Sequence, residues 1–189
     1  MKFTPTVMMI LVAAVSQAGP ITTYSAVLSG ANESPVVVTA GTGFTTVSYD
    51  SILHALTIDV TFSGLTGLTT ASHIHCCTPP ANVGVATTTP TFAGFPLNVT
   101  SGTYHNVLDL TQASSWNPAF ITANGGTTAS AEAFFGAGFI NGQSYLNIHS
   151  TFAPGGEIRG LLTPEPATLT LVGGSLLALA AARKRFRRR

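Results

Sequence analysis

At 189 residues and a formal net charge of +1, the chain has room for one domain of ordinary size plus short targeting segments. From Gly19 to Thr163 a single basic residue, Arg159, stands against Glu33, Asp50, Asp59, Asp109, Glu132 and Glu157. A span so poor in Lys and Arg cannot neutralise phosphates, which argues against nucleic acid as a partner.

The basic residues lie at the two ends. Met1 and Lys2 precede an apolar run from Val7 to Val15, and Ser16-Gln17-Ala18 places small residues before Gly19. That order predicts a secretory signal peptide over 1–18, cleaved after Ala18, with an uncleaved anchor as the alternative. Either reading exports the middle of the protein.

The exported part reads as β. Thr22 to Ser29 and Thr45 to Tyr49 are rich in Thr, Val and Tyr. From His54 to Phe62 the residues Leu56, Ile58, Val60 and Phe62 alternate with Thr57, Asp59 and Thr61, giving one buried and one wet face. Tyr49 to Leu53 supplies a turn and predicts a hairpin. Ser63 to Gly67 interrupts the chain before a strand over Ala71 to His75. Pro, Thr, Gly and Val from Thr78 to Thr100 predict a long loop holding a short strand. Asn106 to Leu110 forms the next strand.

Asn117 and Pro118 are an N-cap and first helical residue for a short helix through Ala123, ended by Asn124-Gly125-Gly126. Ser130 to Ile140 predicts a second helix closed by Asn141-Gly142, against the preferences of Gly136 and Gly138. Ser144 to His149 and Glu157 to Leu162 form a closing pair of strands joined through Ala153 to Gly156. Short strands at this spacing predict a β-sandwich.

Beyond Thr163 come Pro164-Glu165-Pro166, an uncharged stretch from Ala167 to Ala182, and the basic end RKRFRRR. The uncharged stretch predicts a short transmembrane helix over 167–182 with a cytoplasmic basic tail. Residues 164–189 together resemble the PEP-CTERM sorting signal of Gram-negative bacteria. That resemblance implies an exosortase-type peptidase as processing partner, cutting near Pro164, Glu165 and Pro166. The protein would be anchored in the inner membrane before processing and reach the cell surface or extracellular matrix afterwards.

YSAVLSGANESPVVVTAGTG, LTIDVTFSGLTG, HIHCC and YLNIHSTFAPGGEIRG also carry a resemblance, to the CHRD domain first named from chordin, covering about 21–162. It implies a mainly β, immunoglobulin-like β-sandwich with one or two short helices, here followed by the C-terminal hydrophobic helix.

For catalysis the residues offer little. No G-x-S-x-G signature is present, and no Gly-rich loop has a Lys to complete a phosphate site. No catalytic residue is assigned. Glu33 and Glu157 lie in motifs typical of the CHRD resemblance, and Glu157 and Arg159, flanking Ile158, are expected to face one side and form a structural ion pair.

The segment ASHIHCC carries the strongest chemistry. Residues two apart on a strand share a face, so His73 and His75 point together, and His149 of the NIH motif shares its side with Tyr145. If the two strands meet, His73, His75 and His149 form a three-nitrogen site suited to copper or zinc. It requires His149 within about 8 Å of at least one of the others, given metal–nitrogen bonds of about 2 Å. His54 and His105, in a turn and at a strand edge, stand outside it. Cys76 and Cys77 are the only cysteines. They leave open a vicinal disulfide, free thiols, or sulfur ligands added to the three nitrogens.

The function expected is a non-enzymatic binding or structural module at the cell surface or in the extracellular matrix. Proteins with such tails suggest exopolysaccharide or biofilm as its setting. The alternative is a copper/zinc enzyme of superoxide-dismutase-like type, implied by the resemblance of the histidine pair to the copper-binding strand of Cu/Zn superoxide dismutases. The further clustered His and Asp ligands of that family are missing from this sequence.

Overall fold

The computed structural model of the protein describes residues 21–77 and 83–165. The expected signal peptide (1–18), transmembrane helix (167–182), basic tail and Pro166 lie outside the described residues. Among the described residues no helix is long and apolar enough to cross a membrane.

The strands are β1 (Ile21–Ser29), β2 (Thr42–Asp50), β3 (Ala55–Ser63), β4 (Thr69–Cys76), β5 (Gly102–Asp109), β6 (Ser144–Ser150), β7 (Ile158–Leu161) and β8 (Thr163–Pro164). Two helices, α1 (Pro118–Ala123) and α2 (Thr128–Ile140), separate β5 from β6. The mainly β reading with short helices holds. The strands lie along one hydrogen-bonded path, β4-β6-β7-β1-β2-β3-β5, with β8 also on β1. All the pairs are antiparallel. This is one curled sheet, coarser than the expected immunoglobulin-like arrangement of two separate sheets.

Period-two alternation explains which face curls inward. Leu28, Val47, Leu56, Ile58, Ile74, Leu146, Ile148 and Ile158 are fully buried and belong to one apolar cluster drawn from both ends of the strand path. α2 closes the cluster with Phe135 and Phe139, the latter 4.7 Å from the Tyr24 ring. Trp116 packs edge-on against Phe135 and donates its indole N–H to Leu110 O at 2.8 Å.

α2 starts earlier than its apolar pattern suggests because Thr127 and Ser130 form a reciprocal capping box. Its glycines, unfavourable for a helix, are contact residues. A Cβ on Gly138 would meet both cysteine sulfurs, and one on Gly136 would press on the Tyr49 ring. The expected short strand in the 78–100 loop is reduced to two bridges, Val85 to His75 and Thr87 to Trp116. β7 begins at Ile158, one residue later than expected, and Leu162 interrupts the chain before β8.

Candidate metal centre

The outer face of β4, β6 and β7 is assembled row by row from the strand register. His75 lies opposite Tyr145, His73 opposite Asn147, and Ala71 opposite His149; Asn147 in turn lies opposite Arg159 on β7. The structure brings His73, His75 and His149 together, with one ring nitrogen from each lying within 4.8 Å of the others. The criterion set by strand spacing is met.

Each ring is held from behind by a backbone carbonyl. His75 Nδ1 lies 2.7 Å from Val83 O, His149 Nδ1 lies 2.8 Å from Pro154 O, and His73 Nε2 bonds to Pro90 O. A carbonyl can only accept, so each of these nitrogens carries the proton and the opposite nitrogen of each neutral ring is bare. The bare atoms are His73 Nδ1, His75 Nε2 and His149 Nε2. His73 Nδ1 and His149 Nε2 face each other at 3.3 Å with no proton to share, and His75 Nε2 is buried without a partner among the described residues. Histidine ligands of metals are commonly oriented by such bonds from the ring's other nitrogen, so these residues fit a transition metal ion.

The rings are held neutral. Burial pushes His75 down to about 4, against the bond to Val83 and with help from the neighbouring His73, His149 and Arg159, beside which a second positive charge is unfavourable. Burial likewise lowers His73 and His149, opposed by their bonds to Pro90 and Pro154. Neutral imidazole is the form that ligates.

Around the rings the face is polar and closely packed. The Tyr145 ring stacks on His75 at 4.7 Å and 6°, and the Arg159 guanidinium lies over Tyr145 at 4.8 Å. Arg159 Nε also lies 3.6 Å from Glu33 Oε2 and donates to Asn32 O at 2.5 Å. Burial raises the Glu33 carboxyl to about 7 despite the Arg159 charge. The buried side-chain atoms without a hydrogen-bond partner among the described residues are Glu33 Oε1, His75 Nε2 and Asn147 Oδ1. All three are on residues that pack at this face, and Gly156 lies against both Glu33 and Asn147.

One expectation is corrected, and one left open is decided. Arg159 pairs with Glu33, not Glu157, because β7 starts at Ile158 and the alternation rule does not extend back to Glu157. The Glu157 carboxylate turns instead to Thr66 N (2.5 Å), Gly67 N (3.1 Å), Thr39 Oγ1 (2.6 Å) and Ser150 Oγ. Burial alone would raise its pKa, but these donors outweigh it and hold it below the usual value. Cys76 and Cys77 are bonded to each other and do not join the nitrogen cluster. Cys76 shares the inner face with Ile74, where Ser144 Oγ donates to its sulfur at 3.2 Å.

His54 and His105 stand apart, as expected, bonded to Glu132 at 2.8 Å and Asp59 at 2.7 Å. Pro164 pairs with Tyr24, and Glu165 N donates to Thr23 O at 3.0 Å, so the first two residues of the expected sorting motif lie along β1. Sequence reasoning missed Asn147 and the carbonyls of Val83, Pro90 and Pro154. Asn147 was within reach, since alternation places it between Tyr145 and His149.

No curated protein and no solved structure matches the chain. Residues 24–162 match the CHRD domain, covering most of the sequence and every strand of the centre, and the chain therefore belongs to the CHRD domain family.

Proposed function

We propose that this chain is an exported, non-enzymatic binding module that holds one copper- or zinc-class ion through His73, His75 and His149. The observation that carries the reading is the convergence of three bare ring nitrogens, each fixed by a carbonyl behind it. Facing two lone pairs at 3.3 Å and burying a third without a donor costs energy in an empty protein, and a cation placed between them would offset that cost.

Export rests on the leader-like pattern before Gly19. Attachment and release rest on Pro164-Glu165-Pro166, the uncharged stretch and the basic end, which resemble an exosortase sorting signal. The sandwich-like curled sheet would then be delivered to the cell surface or extracellular matrix of a Gram-negative bacterium, in an exopolysaccharide or biofilm setting.

The test is elemental analysis of the full-length protein purified without a histidine tag. About one equivalent of copper or zinc is expected, and its loss in a His73→Ala, His149→Ala variant whose far-UV circular dichroism matches the parent. A folded parent that takes up neither metal when offered both would refute the reading.

A further inference from the structure

The identity of the ion can be taken further from the charges around the centre. We infer that the site, if it is the metal centre proposed above, is built for a monovalent soft cation, copper(I), in preference to divalent zinc or copper(II).

The ligand set carries no negative charge. Three neutral imidazoles converge, and among the described residues no carboxylate or thiolate joins them. The cysteine sulfurs are bonded to each other. Residues 78–82, the segment after β4, read Thr-Pro-Pro-Ala-Asn and bring no acid, histidine or cysteine. The further orphaned lone pair on a residue paired in register with His73, Asn147 Oδ1, is neutral as well.

The surrounding face does not make up the deficit. Its positive charge, Arg159, lies over Tyr145, which itself stacks on His75. Glu33 is set against that guanidinium at 3.6 Å, so the negative charge it carries above neutral pH offsets Arg159 before it can offset a metal, and below neutral pH it brings none. His73 and His75 are 6% and 8% exposed. The cost of bringing an ion out of water grows with the square of its charge, so a divalent ion costs about four times as much here as a monovalent one.

Coordination number points the same way. Three ligands in a plane at about 2.0 Å from an ion sit about 3.5 Å apart. His73 Nδ1 and His149 Nε2 are already 3.3 Å apart, and the third nitrogen closes the triangle from within 4.8 Å. Copper(I) is satisfied by three donors, whereas zinc ordinarily takes a fourth.

The experiment titrates metal-stripped, full-length, untagged protein without oxygen, using copper(I) with ascorbate and a coloured copper(I) chelator as competitor. Zinc is titrated in parallel against its own coloured chelator, and silver(I) serves as a redox-silent monovalent probe. One equivalent of copper(I) and of silver(I) is expected to bind, to be lost in His75→Ala, and to persist in the Cys76→Ser, Cys77→Ser double variant. Zinc is expected to bind about 100-fold more weakly, or ~2.8 kcal/mol at 1.4 kcal/mol per decade. Asn147→Asp adds one negative charge at the strand position opposite His73 and should narrow that gap about tenfold. Ala71→Asp, beside His149 on the same face, is the second carrier of the charge should Asn147→Asp misfold.

Zinc affinity within tenfold of copper(I), or a gap that a folded aspartate variant leaves unchanged, would overturn the preference while leaving the metal site standing. Copper(I) held only when the cysteines are intact would overturn it too. A wild-type protein that binds none of the three ions would instead defeat the proposed function itself.

Discussion

Replacing Glu33 by Gln removes the negative half of a buried ion pair, and the expected result is a more stable protein above neutral pH. Burial is the first cause of the raised Glu33 pKa, about 7 against an ordinary 4.5, and Arg159 only partly opposes it. Folding therefore favours the protonated carboxyl. The folded state binds more protons than the unfolded state between about pH 4.5 and 7, so stability from this group is present at low pH and lost as pH rises through 7. A shift of that size corresponds to about 3 kcal/mol at pH 8, at 1.36 kcal/mol per pKa unit. Gln imitates the neutral form at every pH. Urea unfolding of the full-length protein in mild detergent should give stabilities for parent and variant that differ by less than about 1 kcal/mol at pH 5. At pH 8 the variant should have the higher midpoint, by roughly 1–3 M for urea slopes of 1–3 kcal/mol/M. A variant less stable than the parent by the same amount at both pH values would show that Glu33 is anionic throughout and that its pairing with Arg159 dominates, refuting the reasoning.

Three further outcomes are expected. In the Glu33→Gln background, metal-free protein should lose stability as pH falls from about 6.5 towards 4, because the unfolded chain protonates its histidines before the buried His75 ring accepts a proton; a flat urea midpoint over that range would count against the neutral, buried ring. Glu157→Gln removes acceptor capacity shared by Thr66 N, Gly67 N and Ser150 Oγ and should cost about 2–3 kcal/mol, with faster amide exchange at Thr66 and Gly67 as the local readout. Gly138→Ala drives a methyl group against the Cys76–Cys77 disulfide and should cost roughly 1–3 kcal/mol in urea unfolding despite alanine's better helix propensity.

How far the sequence could reach is visible at the centre itself. His73, His75 and His149 stand on regular strands, and the period of two is enough to give each ring its side of the sheet. The same rule, applied one residue further, sends Cys76 inward with Ile74 and away from the nitrogens. It failed at Glu157 because alternation holds only inside a strand and β7 starts at Ile158. The sheet path was harder to read: β1 carries its neighbour β2 on one edge, but on the other it carries β7 and β8, pairings across more than a hundred residues that no local pattern encodes.

What would make three histidines a ligand set lies in the connections. Val83 and Pro90 come after β4, and Pro154 lies between β6 and β7, in segments whose backbone has no repeating direction. Their carbonyls fix the tautomers, and the tautomers fix which nitrogens are bare. The strands thus determine where the imidazoles meet, and the loops determine which atoms they present. A substitution that only redirects the Pro90 or Pro154 carbonyl should weaken metal affinity while leaving every ligand in place, and affinities measured on Pro90→Ala and Pro154→Ala would show it. Orienting bonds of this kind are typically worth about 10–100-fold in affinity. Unchanged binding in both variants would mean that the rings select their tautomers without the loops, and the division between strand and loop would be wrong.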